Sequence, residues 1–150
     1  MNSIQNISLR RATRDDIGVL IALEKTAAHK TYAAMTDEQE WQTEMEKGTI
    51  YLIQKGDITV GNISFQIKES DHAYLSGLMI LSDYQGQGIA REAMTQVMEE
   101  LKDIKRVDLV THPHNTPAIM LYLSLGFKVE SWKDNYFGDG EPRIVLSYLK

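Results

Sequence analysis

The apolar positions of this chain alternate between two spacings, and that alternation limits the folds open to it more than any other feature. Ile17, Leu20 and Ile21, and then residues 23–28, recur at the three-to-four spacing of one helix face. From Thr49 the period drops to two. Ile50 and Leu52 alternate with Tyr51 and Ile53, and past Lys55-Gly56-Asp57 the pattern resumes with Ile58, Val60, Ile63, Phe65 and Ile67, an antiparallel hairpin about a turn. A strand over 73–81 then gives way to a helix whose apolar stripe is Ala90, Met94, Val97, Met98 and Leu101. A strand over 106–111, a helix over 115–125 closed by Gly126, and strands over 127–136 and 143–148 complete the chain. With an opening strand over 7–12, the order is β α α β β β α β α β β. That order predicts a mixed α/β fold, a central sheet with helices on both faces.

The helix starts are written in the polar residues. Thr13-Arg14-Asp15-Asp16 reads as a capping box with Thr13 as N-cap, and Thr36-Asp37-Glu38-Gln39 as a second that opens a helix running to Lys47, which Gly48 ends. Residues 29–35 form the loop between them. No repeat, linker or composition break divides the 150 residues, so residues 1–150 are expected to form a single domain.

Composition excludes several classes of function. With 16 Lys+Arg against 21 Asp+Glu the formal charge is −5 and the pI is near 5.3, which argues against nucleic-acid binding through a broad basic surface. The absence of cysteine rules out disulfides, thiolate nucleophiles and thiolate metal sites. No stretch approaches the roughly 18 apolar residues of a membrane span, and the opening residues have no apolar signal-like run. A cytoplasmic protein with no membrane and no nucleic-acid partner is expected. The acidity is local: residues 36–47 hold Asp37, Glu38, Glu40, Glu44 and Glu46 against the single Lys47, a net of −4.

Between the strand over 73–81 and the following helix stands Gln85-Gly86-Gln87-Gly88-Ile89-Ala90. Glycines there let the backbone approach a ligand, and N–H groups at a helix start make a concavity for a phosphate or pyrophosphate. A tight structural connection explains the glycines equally well. No Gly-Lys-Ser/Thr follows and only two glycines are present, so neither the triphosphate loop nor the dinucleotide fingerprint fits. Downstream, Asn115 is a good N-cap, Pro117 fits a first turn and Gly126 a left-handed terminus. Capping does not explain Tyr122, two turns after Asn115 on the same helix face.

Together these runs resemble the GNAT superfamily of acyl-CoA N-acyltransferases. Gln85, Gly88 and Ala90 match its Gln/Arg-x-x-Gly-x-Gly/Ala signature, and Asn115, Ala118, Tyr122, Gly126 and Phe127 match its Asn-x-x-Ala-x-x-x-Tyr-x-x-x-Gly-Phe run without gaps. The resemblance implies a largely antiparallel sheet in which the strand carrying Leu78, Met79 and Ile80 pairs with pantetheine and splays from its neighbour. It implies acetyl-CoA as acyl donor, with its pyrophosphate on the amides of Gln85, Gly86, Gln87, Gly88, Ile89 and Ala90 and additional charge from Arg91. It further implies that Asn115 and Ala118 border the coenzyme and that Tyr122 is the general acid that protonates the departing thiolate.

Departures from the family pattern bear on the base and the acceptor. Ser124 stands where many members carry Lys or Arg, and Val110 stands where members acting on ribosomal-protein N-termini place a glutamate base. His112 and His114 beside the motif, and His72 or Tyr74 on the preceding strand, are the replacement candidates, and His112 is taken with Tyr122 as the catalytic pair. A lysine amine costs roughly 4.6 kcal/mol to deprotonate at pH 7 and an α-amine only about 1.4, so a site without a strong base suits an α-amine. The aromatic and Asp-Gly run Tyr136-Phe137-Gly138-Asp139-Gly140 resembles the corresponding turn of N-terminal protein acetyltransferases. The acidic segment 36–47, with Tyr32 and Trp41 nearby, is expected to border the acceptor cleft. The expected acceptor is therefore a peptide N-terminus, with a polyamine or other small cationic amine as the alternative and a non-catalytic acyl-CoA sensor as the alternative of another class. Homodimers are common in the superfamily, and nothing in the sequence demands one.

Overall fold

A computed structural model describes residues 6–27, 32–69 and 71–150. Strand β1 (Ile7–Arg11) passes through a 3-10 turn (Arg14–Asp16) into α1 (Ile17–Ala27), and α2 (Glu38–Lys47) follows. Next come β2 (Gly48–Lys55), β3 (Ile58–Glu69), β4 (His72–Ile80), α3 (Ile89–Glu100), β5 (Arg106–Thr111), α4 (Thr116–Ser124), β6 (Lys128–Lys133) and β7 (Arg143–Leu149). The order is the one that apolar periodicity predicts. The predicted end of the first helix at 28, and the part of the following loop over 29–31, lie outside the described residues.

The seven strands form one sheet in the order β1-β2-β3-β4-β5-β7-β6, and every neighbouring pair is antiparallel except β4 and β5. On one face, Leu20 and Leu23 of α1 and Trp41 of α2 bury against Ile50 and Leu52 of β2 and Met79 of β4. On the other, Ile89, Ala93, Met94 and Val97 of α3 close over Val60, Phe65, Val107 and Leu109, joined by Tyr122 of α4 and by Phe127. Each large apolar side chain so buried stabilises the fold by about 1.5–3 kcal/mol. Helices on both faces follow from the two stripes.

The first cap is formed as the sequence predicts, with the Thr13 N–H donating to Asp16 Oδ2 at 2.8 Å. The second start moves by one residue: Asp37 rather than Thr36 is the N-cap of α2 and accepts from the Glu40 N–H at 3.1 Å. Both residue types cap well, and the spacing to the apolar face at Trp41 selects the carboxylate. The strand predicted over 127–136 is shorter. β6 stops at Lys133 because Asn135 turns left-handed, at φ 48°, while its Oδ1 accepts from the Gly140 N–H. Phe127 precedes the strand and is buried.

Two irregularities in β4 shape the site. Its parallel ladder with β5 runs only from His72 opposite Arg106 to Leu75 opposite Leu109, after which the strands part. Against β3, Gly77 faces Ser64 while Leu75 faces Phe65, so Ser76 is an extra residue, a β-bulge that bends the strand. Beneath the bulge Glu44 of α2 accepts from the Ser76 hydroxyl at 2.6 Å and from Gln66 Nε2 at 2.9 Å. Glu44 is therefore no part of a solvated acidic rim; it is a buried support of the bent strand.

Candidate active site

Where β4 and β5 part, they leave a cavity of about 560 Å³ floored by the sheet and bounded by the N-terminal ends of α3 and α4. Leu78, Met79 and Ile80 form its β4 side. Of the loop residues singled out in the sequence, Gln85, Gly86, Gly88, Ile89, Ala90 and Arg91 line it, and Gln87 does not. Asn115, Ala118 and Tyr122 of the second motif line it too, as does His112. Two runs separated by more than twenty residues in sequence thus meet around one space.

The loop is held by side chains as well as by glycine. Gly86 and Gly88 both sit at positive φ, 78° and 82°, a conformation that a side chain disfavours. Gln85 turns its amide back to donate to the Ile80 carbonyl at 2.9 Å, tying the loop to the end of β4. Gln87, outside the cavity, accepts from Lys55 Nζ at 2.8 Å. The first intrahelical bond of this turn is Glu92 N–H to Gly88 O, so the amides of Ile89, Ala90 and Arg91 precede the helical ladder and remain for an anion. Arg91 donates to Ser124 Oγ at 2.6 Å, so the serine at the family's basic position orients a guanidinium from the facing helix.

Tyr122 is 8% exposed, and its hydroxyl makes no hydrogen bond among the described residues. Its ring packs on Phe127, centroids 5.9 Å apart. Gly126, at φ 100°, reverses the chain so that Phe127 donates its N–H to the Tyr122 carbonyl and folds back beneath the ring. Burial pushes the Tyr122 phenol up to about 12, which keeps it protonated at neutral pH. Asn115 caps α4 through a 3.4 Å bond from the Ala118 N–H.

The base candidates separate. His112 is 1% exposed, donates from Nε2 to Glu141 Oε1 at 2.7 Å and accepts at Nδ1 from the His114 N–H at 3.0 Å. Accepting at Nδ1 assigns the ring proton to Nε2, so no lone pair faces the cavity. This arrangement suits a ring that anchors the 112–115 corner better than one that takes a proton. His114 is exposed, and His72 is held by Asp108 Oδ1 at 2.9 Å away from the cavity. Tyr74 does line the cavity, but burial and the neighbouring Tyr136 raise its phenol far above the ordinary value.

Sequence reasoning misses Arg143. Its side chain is 2% exposed in the cavity wall, bonded to Asp139 Oδ2 at 2.9 Å and to the Pro142 carbonyl, with its guanidinium 5.0 Å from the Phe137 ring centre. A lone arginine opening a strand carries no periodic signal. Tyr32 lines the cavity with its hydroxyl donating to buried Glu24 at 3.0 Å, whereas Trp41 belongs to the core. Among the described residues no carboxylate lines the cavity, so the acidic segment 36–47 does not border it.

Comparison with known proteins agrees with the geometry. A family model described as the acetyltransferase (GNAT) family matches residues 16–127. The [ribosomal protein bS18]-alanine N-acetyltransferase of Escherichia coli (strain K12) is 31% identical over 83 residues, a match covering 53% of this chain and 56% of that protein. The chain thus spans about half the length of the curated relatives it matches. The solved structure of the ribosomal-protein-S18-alanine N-acetyltransferase from Escherichia coli superposes with a TM-score of 0.82 at 21% identity, over 95% of this chain and 93% of that one. A GNAT family acetyltransferase from Elizabethkingia anophelis, solved with acetyl-CoA bound, superposes at 0.77 and 16% identity over 97% and 99%. The splayed strands, the glycine loop at a helix start and the match over most of the sequence converge: the chain belongs to the acetyltransferase (GNAT) family.

Proposed function

We propose that this protein transfers an acetyl group from acetyl-CoA to the α-amino group of a peptide or protein N-terminus by direct attack of the amine. The observation that carries the reading is the Tyr122 hydroxyl, protonated, without a hydrogen-bond partner among the described residues and open to the cavity left where β4 and β5 part. The amine nitrogen bonds to the thioester carbon, and a backbone N–H of the segment Leu78, Met79 or Ile80 holds the developing oxyanion. The carbon–sulfur bond then breaks as Tyr122 gives its proton to sulfur, and the proton released from nitrogen returns to the phenolate through water.

The donor side is supported by the free amides of Ile89, Ala90 and Arg91 and by an Arg91 side chain at the cavity held by Ser124 of α4. On the acceptor side, a cavity wall with no carboxylate among the described residues and with buried Arg143 offers a polycation no partner. An amine that enters uncharged fits better, and for an α-amine near pKa 8 the neutral form costs only about 1.4 kcal/mol at pH 7. The relative acting on ribosomal protein bS18 alanine points the same way.

The test is thiol release from acetyl-CoA with a panel of free-N-terminal peptides, polyamines and aminoglycosides. Turnover on peptides is expected. Turnover on polyamines alone would move the acceptor to that class, and coenzyme binding with no thiol release on any acceptor would make the protein a sensor.

A further inference from the structure

Helices α1 and α2 cover the β2 side of their sheet face, and the stretch of that face running toward β6 carries a second concavity of about 360 Å³. Tyr74 of β4 and Val110 of β5 line both this groove and the 560 Å³ cavity, and Tyr136 lies beside Tyr74 in the groove lining. The groove therefore continues the site in which Tyr122 lies.

Its charges are arranged unevenly. Arg106 satisfies both carboxylates: Nε and Nη2 reach Asp108 Oδ2 at 3.2 and 2.9 Å, and Nη1 and Nη2 reach Glu130 at 2.9 and 3.0 Å. His72 holds the other oxygen of Asp108 at 2.9 Å. Lys68, at the end of β3, and Lys133, at the end of β6, line the groove, and neither forms an ion pair among the described residues. Lys68 lies along the groove wall with its ammonium 5.5 Å from the Tyr74 ring centre. The groove lining thus carries two lysines and two carboxylates, and Arg106, beside the lining, pairs with both carboxylates. In the sheet order, β3 and β6 are separated by β4, β5 and β7, so the strands that carry the two lysines are offset laterally by roughly 19 Å at about 4.8 Å per strand spacing. About six residues of extended chain span that distance.

We propose that this groove binds the residues of the acceptor that follow the acetylated amine, and that Lys68 and Lys133 select an acidic side chain beyond its second residue. The proposal rests on the peptide reading of the acceptor given above. Charge complementarity and continuity with the cavity through Tyr74 and Val110 carry it: an extended peptide whose amine is at Tyr122 has this groove as its onward path, and two ammonium groups that form no direct ion pair among the described residues flank that path while Arg106 holds the groove's carboxylates. Attraction of this kind is screened by salt, so the preference shrinks as ionic strength rises.

The experiment compares kcat/KM for peptides sharing their first two residues and carrying either Glu or Lys at positions three to six. Wild-type protein is expected to favour the acidic series at least tenfold at low salt, and a Lys68→Glu/Lys133→Glu double variant to reverse that order. Lys133→Gln alone is expected to reduce the preference without reversing it, which separates charge recognition from a folding defect. Equal kcat/KM for the two series overturns the subsite while leaving peptide acetylation intact. Acetylation of no peptide removes the acceptor reading, and the subsite with it. A dimer that dissociates on Lys133→Glu with the peptide preference unmoved assigns the groove to a second copy of the chain and also overturns the proposal.

Discussion

Tyr122 is a buried residue whose ring packs on Phe127 while its hydroxyl, without a hydrogen-bond partner among the described residues, is open to the cavity that the residue lines. A phenol placed so needs no rearrangement to give its proton to a bound group, which is the role proposed for it. Replacing Tyr122 with Phe keeps the ring on Phe127 and removes only the proton. The expected outcome is a fall in kcat of about a hundredfold or more, with the KM for acetyl-CoA within twofold of wild type, read from steady-state thiol release. The pH profile supplies a second readout. Activity should rise with the neutral fraction of the acceptor α-amine near pH 8 and then hold, because an acid raised to about 12 keeps its proton well past that point. A decline beginning near pH 9 would point to a different acid. Tyr122 is legible in the sequence because Asn115, Ala118, Gly126 and Phe127 around it complete a run that resembles the family motif. Arg143 is not, because its meaning comes from Asp139 and Phe137 in a turn that folds back over it.

Strand β4 does its work by failing to be regular. Elements announced by periodicity, such as the α3 stripe and the β5 run, appear where the sequence predicts them, because burying one face requires that spacing. The bulge at Ser76 does not announce itself: Ser76-Gly77 looks like ordinary strand alternation with one weak residue, and only Glu44, arriving from α2, makes sense of it. The cap of α2 shows the same limit on a smaller length, since two adjacent residues capable of capping leave the start ambiguous until Trp41 is buried. Close approach of β3 to β4 gives this level its own prediction. A Cβ on Gly61 would lie 2.1 Å from the Met79 carbonyl oxygen, in the backbone of the strand that borders the cavity. Gly61→Ala must push β4 aside, and it is expected to destabilise the fold by about 1–3 kcal/mol in urea titration and to weaken acetyl-CoA binding as well. Unchanged binding in a folded variant would mean that the position of β4 is not what admits the coenzyme.

Taken whole, the molecule buries phenols around its cavity. Tyr32, Tyr74 and Tyr122 are all raised above the ordinary tyrosine value, chiefly by burial. The sign of the linkage follows. An unfolded chain gives up these protons near pH 10 while the folded one retains them, so their contribution is complete below pH 10 and is lost progressively as pH rises above it, that of Tyr122 by about 12. Urea midpoints are expected to fall steadily from pH 9.5 to 11.5, and less steeply in the Tyr122→Phe protein. Midpoints that do not move would show that the three phenols ionise together with those of the unfolded chain.

The gap between β4 and β5 also bears on how the protein behaves before any ligand arrives. From Ser76 to Ile80, β4 has no partner in β5, so a sheet of seven strands contains an internal edge whose amides face a cavity. Edges of that kind are templates for stray strands, and this one is shielded only by being recessed between two helices. An amide-bearing arm inserted there is in effect a surrogate strand that finishes the sheet. Hydrogen exchange should therefore be fast in the free protein at those amides of residues 76–80 that do not pair with β3, and slow once coenzyme A is added, with a gain in global stability of about 2.7 kcal/mol at a hundredfold excess over Kd. Under the acyl-transfer reading, the fraction of this protein that carries coenzyme in a cell would also be the fraction protected from pairing with its own kind.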